Sequence, residues 1–104
     1  MTSSIRAIDT VVNLWTPEVL ALRPAGREAF YQDKMRVAAD TDSGISVETM
    51  LQRMDAAGIE RSFLIAHRCG PEGPRACWRL PYQMVADVVA AHPDRFCALA
   101  GIDP

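Results

Sequence analysis

Apolar residues occur along the chain both as short continuous runs and as helically spaced stripes. The runs lie in Ile5–Trp15, Ser62–Ala66 and Arg95–Ile102, and the last of them contains the unbroken stretch Phe96–Ala100. Such runs are typical of strands that are covered on both faces of a parallel sheet. Each of the three segments is therefore predicted to form a buried strand.

Two amphipathic helices are predicted between these strands. The first is Val47–Ala57, where Ser46 precedes the apolar stripe as an N-cap and Gly58 follows it as a left-handed C-terminal cap. The second begins after Pro81, which suits a first helical turn. The stripes, with helical spacing, are Val47, Met50, Leu51, Met54 and Ala57 in the first helix, and Tyr82, Val85, Val88, Val89 and His92 in the second.

The connecting segments are predicted largely as loops. Thr16-Pro17 ends the first strand, because proline disfavours its continuation. Ala25–Met35 is compatible with a short helix, whereas Asp40–Gly44 and Arg68–Arg79 have the composition of loops. The resulting order is strand, long insert with a helix, strand, helix, strand. This alternation predicts one α/β domain with right-handed crossovers and a parallel sheet.

Composition and charge narrow the class of protein. A chain of 104 residues has room for one domain with a modest core. The formal net charge of −2 and the scattered basic residues argue against binding of nucleic acid or an anionic membrane. Met1–Ala7 lacks a signal-peptide pattern, and no apolar run has the length of a membrane span.

The cysteines indicate the compartment. Three cysteines, Cys69, Cys77 and Cys97, cannot all pair within one chain. Odd cysteine usage without a signal peptide predicts free thiols in a reducing compartment, with the cytoplasm as the default. Cys97 lies inside an apolar run, so its thiol is expected to be buried and inert.

Candidate chemistry lies where the strands end, because reacting groups of parallel α/β domains collect at the carboxyl ends of the strands. Here those positions are Asp9–Trp15, His67–Cys69 and Asp103. His67 directly follows the second strand, where an imidazole can be a general base, a substrate contact, a ligand, or simply a hydrogen-bonded strand-end residue. A zinc site built from His67 and nearby cysteines is not expected, because the spacing matches no common ligand pattern.

Two stretches in Val47–Pro104 carry a family resemblance. Met54–Ile65 (MDAAGIERSFLI) and His92–Pro104 (HPDRFCALAGIDP) are similar to the amidohydrolase-related branch of the amidohydrolase superfamily, and Ala7–Trp15 (AIDTVVNLW) resembles that family's first strand. The family contains metal-dependent hydrolases and non-oxidative decarboxylases of the aminocarboxymuconate-semialdehyde and resorcylate type. The resemblance implies the first three strand–helix units of a (β/α)8 barrel, which typically needs about 250 residues.

The first strand departs from the family pattern. The family usually carries Asp-x-His-x-His there, with both histidines on the metal, but this chain has Asp9 followed by Val11 and Asn13 at the histidine positions. No metal ligand is therefore assigned in this chain, although a divalent, zinc-type metal is expected for the complete family enzyme. From their positions at the strand ends, His67 and Asp9 are predicted as catalytic residues, and Asn13 and Trp15 as substrate contacts, in this chain's share of such a site.

Three hypotheses for function follow. In the first, the chain is the amino-terminal part of an amidohydrolase-like hydrolase or decarboxylase and is inactive by itself. In the second, it is a non-catalytic module that acts by oligomerisation or partner docking. In the third, Asp9 and Asn13 mark a subgroup with altered metal chemistry. The expected partners are a second copy or a complementary C-terminal barrel portion, because three strands leave apolar edges and faces uncovered.

Overall fold

A three-stranded parallel sheet is the centre of the fold. The computed structural model describes residues 6–24, 29–66 and 79–100. Within them the strands are adjacent in chain order, with β1 at Ala7–Val12, β2 at Ile59–Ala66 and β3 at Phe96–Ala100. Both strand pairs are parallel. The predicted α/β class with a parallel sheet is thus confirmed, and closure into a barrel stays a prediction.

The two longer helices have the predicted bounds and caps. Helix Val47–Ala57 begins at Ser46, whose Oγ accepts a hydrogen bond from the Thr49 backbone N at 3.1 Å, and it ends at Gly58 with φ of 72°. Helix Tyr82–Ala91 ends at His92, whose backbone N–H donates to two carbonyls of the last turn. No helix in the described part of the chain has the length and apolarity of a bilayer span.

The insert between β1 and the first long helix contains short helical turns. In chain order they are α1 at Pro17–Leu20, a π-helical turn at Phe30–Lys34 and α2 at Ala39–Asp42, so the long helices become α3 (Val47–Ala57) and α4 (Tyr82–Ala91). Thr16 caps α1 by accepting from the Val19 backbone N at 3.4 Å. The short helix expected in Ala25–Met35 is observed only as the π-helical turn, and residues 25–28 lie outside the described part.

The core lies on one face of the sheet. Ser62, Leu64 and Ala66 alternate along β2 as fully buried residues, and Leu64 and Ala66 share one cluster with Met54 of α3 and Val85 of α4. Both long helices therefore pack on the same face, as right-handed crossovers between adjacent parallel strands require. The remaining members of the cluster are Leu14, Val19, Leu80 and Phe96.

The opposite face of the sheet, here called the open face, carries apolar side chains that are only partly covered. Alternation along β2 places Arg61, Phe63 and Ile65 on it. The strand pairing adds Ile8 beside Arg61, Cys97 beside Phe63 and Leu99 beside Ile65. Exposed fractions of 54% for Ile8 and 42% for Leu99 show that much of this face meets solvent.

The open face corrects three predictions. β1 was expected to be largely buried, but five of its six residues are exposed. The apolar run of β3 was expected to be covered on both faces, but Ala98–Ala100 are exposed and Cys97 is half-buried rather than buried. Helices of the described part cover one face only, and β1 and β3 are the outer strands of the described sheet, so Ala98 and Ala100 are exposed although they pair with Leu64 and Ala66 on the core face. Residue burial in a parallel strand depends on neighbouring elements that the strand's own sequence does not contain.

Gly44 is expected to resist substitution more strongly than Gly58. Both have positive φ, 98° and 72°, but a Cβ on Gly44 would lie 2.8 Å from the Pro17 backbone N, whereas a Cβ on Gly58 would meet nothing within 4 Å. Gly44→Ala should lower the free energy of unfolding by about 1–3 kcal/mol, and Gly58→Ala by less. Urea denaturation of both variants measures this, and an equal loss for the two would show that the close approach to Pro17 is unimportant.

Candidate functional site at the carboxyl edge of the sheet

Asp9 lies within β1, and Asn13 lies at the carboxyl end of this strand. Asp9 is the third residue of β1 and is exposed, and its Oδ1 accepts a hydrogen bond from the Val11 backbone N at 3.3 Å. Asn13 is exposed and directly follows the strand. Asn13 is therefore at the carboxyl edge, where the sequence predicted it, whereas Asp9 lies within the strand with one carboxylate oxygen engaged by its own backbone.

A bulge interrupts β1 at this point. Ile8 pairs with Arg61 and Val12 pairs with Leu64, and a register shift lies between Asp9 and Val12. Arg61 and Leu64 are on opposite faces of β2, so Ile8 and Val12 are also on opposite faces although they are four residues apart. The extra residue turns Val12 toward the helix-covered core. Bulges of this kind re-aim side chains and are over-represented beside active sites.

Trp15 holds the insert against the end of β1. Its Nε1 donates to the Thr41 carbonyl at 2.8 Å, and its backbone carbonyl accepts from the Ile45 N at 2.9 Å. Its ring meets the edge of Tyr31 with 5.4 Å between centroids. The guanidinium of Arg23 lies 4.9 Å from the centroid of the same Tyr31 ring. Trp15 is half-buried and thus has a clear structural role at the place where a substrate contact was predicted.

The second half of the predicted site follows β2 and β3 in the chain. His67, Cys69 and the loop predicted at Arg68–Arg79, apart from Arg79, lie outside the described residues, as does Asp103. The structure describes β2 up to Ala66 and β3 up to Ala100, so it shows the strand ends from which these residues continue. The placement of His67 beside Asn13 stays a prediction from chain order.

The described residues of β1 do not fit a zinc-type metal. Val11 has no donor atom, Asn13 offers only a neutral amide oxygen, and one oxygen of Asp9 already accepts a backbone hydrogen bond. Transition metals of this type prefer imidazole and thiolate to amide oxygen. Within the described part, no group of three or more His, Cys, Asp or Glu side chains has the arrangement of a metal site. A metal here would need ligands from outside residues 6–24, 29–66 and 79–100.

A charged cleft of about 600 Å³ lies at the other edge of the sheet, where the strands begin. The sequence did not predict this cleft, because reacting groups of parallel α/β domains are expected at the carboxyl ends of the strands. The available signal was the density of charged residues around the starts of the strands. The charged residues lining the cleft are three arginines, Arg6, Arg61 and Arg95, and three carboxylates, Asp55, Glu60 and Asp94.

Arg95 forms hydrogen bonds to several of the residues that line the cleft. Its guanidinium donates to the carboxylate of Asp55 at 2.7 Å and to the carbonyls of Glu60 and Ile59 at 2.9 and 3.2 Å. The Ser62 backbone N in turn donates to the Arg95 carbonyl at 2.9 Å. These bonds join the end of α3, the start of β2 and the start of β3. Arg95 therefore acts as a structural clamp, and the exposed Arg6–Glu60 pair at 3.4 Å adds little.

Arg61 differs from the other two arginines because it lies on the open face. Its Nη1 donates to the Sγ of Cys97 at 3.5 Å. This hydrogen bond raises the pKa of Arg61 above its ordinary value, and the negative charges of Glu60 and Asp94 act in the same direction, while desolvation opposes them. Arg61 is therefore a permanent positive charge at the amino end of an otherwise apolar surface.

Comparison with known proteins adds no relative: no family model, no curated protein and no solved structure matches the chain. The resemblance carried by Met54–Ile65 and His92–Pro104 consequently stays a prediction from those two stretches.

Proposed function

We propose that this chain supplies the first three strand–helix units of an amidohydrolase-like (β/α)8 barrel that acts as a hydrolase of C–N or C–O bonds or as a non-oxidative decarboxylase. The observation that carries the proposal is the one-sided sheet. Three parallel strands in chain order have both long helices on one face and an apolar surface on the other. This one-sided arrangement supports the proposal because a barrel has helices in its outer ring and fills its interior with side chains of the inner sheet face.

The chain's share of the active site in this proposal lies at the carboxyl edge. His67 is the catalytic residue that takes a proton from attacking water in hydrolysis or delivers one to the carbon that loses carbon dioxide in decarboxylation. Asp9, on β1, is the second catalytic residue. Asn13 contributes a polar contact to the substrate, and Trp15 an aromatic one. The divalent metal expected of the family would take its ligands from the remaining units, because β1 offers Val11 and Asn13 where histidines would stand.

A second candidate function is a non-catalytic module that docks through the open face. The observation that favours it is the donor-poor β1 together with the exposed Ile8 and Leu99. Large exposed apolar patches mark interaction surfaces. This alternative shares the open face with the first proposal but needs no chemistry from His67.

Co-assembly tests the proposal. The probe is the polypeptide encoded by the codons that follow Pro104, in the same reading frame or the next, here called the downstream polypeptide. When mixed with this chain, it should form a one-to-one complex in light scattering, and the complex should release carbon dioxide from a dihydroxybenzoic acid or hydrolyse a p-nitrophenyl ester. A complex without either activity would favour the docking module. If the chain is a folded monomer that does not bind the downstream polypeptide, both candidate functions are contradicted.

A further inference from the structure

The insert between β1 and α3 returns to the place where it leaves the sheet. The Ile45 backbone N donates to the Trp15 carbonyl at 2.9 Å, and a Cβ on Gly44 would lie 2.8 Å from the Pro17 backbone N. The first helix of the insert, α1, is fixed by Val19, which is fully buried in the core cluster. The later part of the insert therefore begins and ends at one fixed place beside the carboxyl end of β1.

Residues 29–42 of this insert, here called the flap, lie outside the core. The flap contains the π-helical turn at Phe30–Lys34 and the turn α2 at Ala39–Asp42. None of its apolar residues belongs to the core cluster or packs against it, and neither turn packs extensively on another helix or strand of the described part. Segments with so few buried apolar contacts open at a lower free energy than the whole domain unfolds.

The described contacts of the flap with β1 and α3 are polar and aromatic. Trp15 donates from its Nε1 to the Thr41 carbonyl at 2.8 Å, and its ring meets the edge of Tyr31. Arg53 of α3 donates to the Thr41 Oγ1 at 2.9 Å and to Asp40 at 3.4 Å. Arg53 and Asp40 are both exposed, so their ion pair stabilises the flap weakly. Trp15 is therefore the residue on which the closed flap rests.

Two charged atoms oppose the closed arrangement. In the described part of the chain, Arg23 Nη1 and Asp42 Oδ1 are shielded from solvent and have no hydrogen-bond partner. The Arg23 guanidinium lies 4.9 Å from the centroid of the Tyr31 ring, and Asp42 directly follows Thr41, which binds Trp15. An unpaired buried charge costs more free energy than an ordinary hydrogen bond contributes, and contact with an aromatic ring offsets only part of that cost. Movement of Tyr31 away from Arg23 would return water to this guanidinium.

We propose that the flap is a lid over the carboxyl end of β1, and that the unpaired charge of Arg23 opposes its closure. Opening breaks the bond between Trp15 and Thr41 and separates the Trp15 and Tyr31 rings, while the sheet and the core stay intact. It exposes Trp15, the residue that the sequence predicts as a substrate contact. The inference concerns this chain by itself and does not depend on assembly into a barrel.

Hydrogen exchange at the Trp15 indole measures opening, because its Nε1–H is bonded to the flap. NMR of the full chain follows the exchange, with Trp15→Phe to assign the signal. The reference is the Ser62 backbone N–H, which is buried in the sheet and donates to the Arg95 carbonyl at 2.9 Å. Protection of the indole should be at least about tenfold lower than that of Ser62. Equal protection at the two sites would show that the flap opens only when the domain unfolds, which overturns the proposal.

Arg23→Met tests the opposition to closure by the sign of its effect. Methionine keeps an apolar side chain against Tyr31 but has no charge to leave unpaired. Protection of the Trp15 indole should therefore rise at least about threefold, because the closed state loses its penalty. If protection falls or does not change, Arg23 does not oppose closure and the proposal is wrong.

Arg53→Met and Arg6→Met are the matched controls. Arg53→Met removes the bonds to Thr41 and Asp40, so protection of the indole should fall about twofold to fivefold, opposite in sign to Arg23→Met. Arg6 lines the cleft at the amino edge of the sheet, so Arg6→Met should leave the indole unchanged. If all three variants shift the Trp15 indole and the Ser62 amide by one common factor, the effect is on global stability and contradicts a separately moving flap.

Discussion

Phe96→Ala is expected to lower the free energy of unfolding by about 3–5 kcal/mol, the largest stability effect of any single truncation considered in this chain. Phe96 is 1% exposed and has the largest of the fully buried side chains in the described part. It belongs to the core cluster with Leu64 and Val85, and its ring meets the edge of His92 at 6.1 Å between centroids. Removing the ring leaves a cavity between the sheet and α4 that neighbouring side chains cannot fill.

Leu99→Ala is the matched control on the same strand. Leu99 is three residues further along β3 and lies on the open face with 42% of its surface exposed. Its truncation should cost about 1 kcal/mol or less, because exposed surface gains little from burial. Urea denaturation followed by circular dichroism measures both variants, with Phe96→Leu as an intermediate case if the alanine variant does not fold. Equal losses at positions 96 and 99 would mean that both faces of β3 are covered.

His67→Gln is expected to lower kcat of the co-assembled protein by about 10²–10⁴-fold, the range for loss of a positioned general acid or base. Gln keeps a hydrogen-bonding side chain of similar reach but does not exchange a proton near neutral pH. The assay is carbon dioxide release from a dihydroxybenzoic acid and hydrolysis of a p-nitrophenyl ester by this chain with the downstream polypeptide. The Michaelis constant should change much less than kcat, because the residue acts on the proton and not on binding.

The chain contains a control histidine. Its two histidines are His67 and His92. His92 ends α4 and contacts Phe96, away from the carboxyl edge, so His92→Gln should leave kcat unchanged while slightly lowering stability. If the two substitutions reduced kcat equally, the effect would be one of folding. If His67→Gln were fully active, His67 would have no catalytic role.

Local sequence patterns predicted the elements whose determinants are local. Helix α3 has its cap, stripe and terminal glycine within thirteen consecutive residues, Ser46–Gly58, and it forms as predicted. The parallel sheet followed from the alternation of strands and helices, which constrains the crossovers. Both predictions depend on interactions within a short stretch or on chain order alone.

Burial of the strands could not be predicted in the same way. The apolar runs of β1 and β3 have the same sequence pattern whether their second face meets helices, other strands or water. The exposed Ile8 and Leu99 show that in the described part this second face meets solvent. The bulge between Asp9 and Val12 was also missed, because it depends on the register with β2. The apolar run begins at Ser62 and therefore predicts Arg61 outside the second strand, whereas β2 begins at Ile59.

The candidate site is predicted mainly from chain order. Asn13 lies at the carboxyl edge as expected, while Trp15 is engaged by Thr41 and Tyr31, contacts that no local pattern signals because they join residues far apart in the chain. The clamp formed by Arg95 likewise links α3 to β3 through Asp55, forty residues away. Long-range polar contacts of this kind require the fold before they can be located.

Thiol labelling of Cys97 tests the central claim most directly, namely that the open face becomes the interior of a larger barrel. Cys97 is a free, half-buried cysteine on this face. In a Cys69→Ser, Cys77→Ser background it is the only thiol in the chain. Its labelling by a maleimide should be measurable in the free chain and should slow at least about tenfold when the downstream polypeptide is bound, because a buried thiol is inert. Unchanged labelling in a formed complex would place the interface elsewhere and contradict the account.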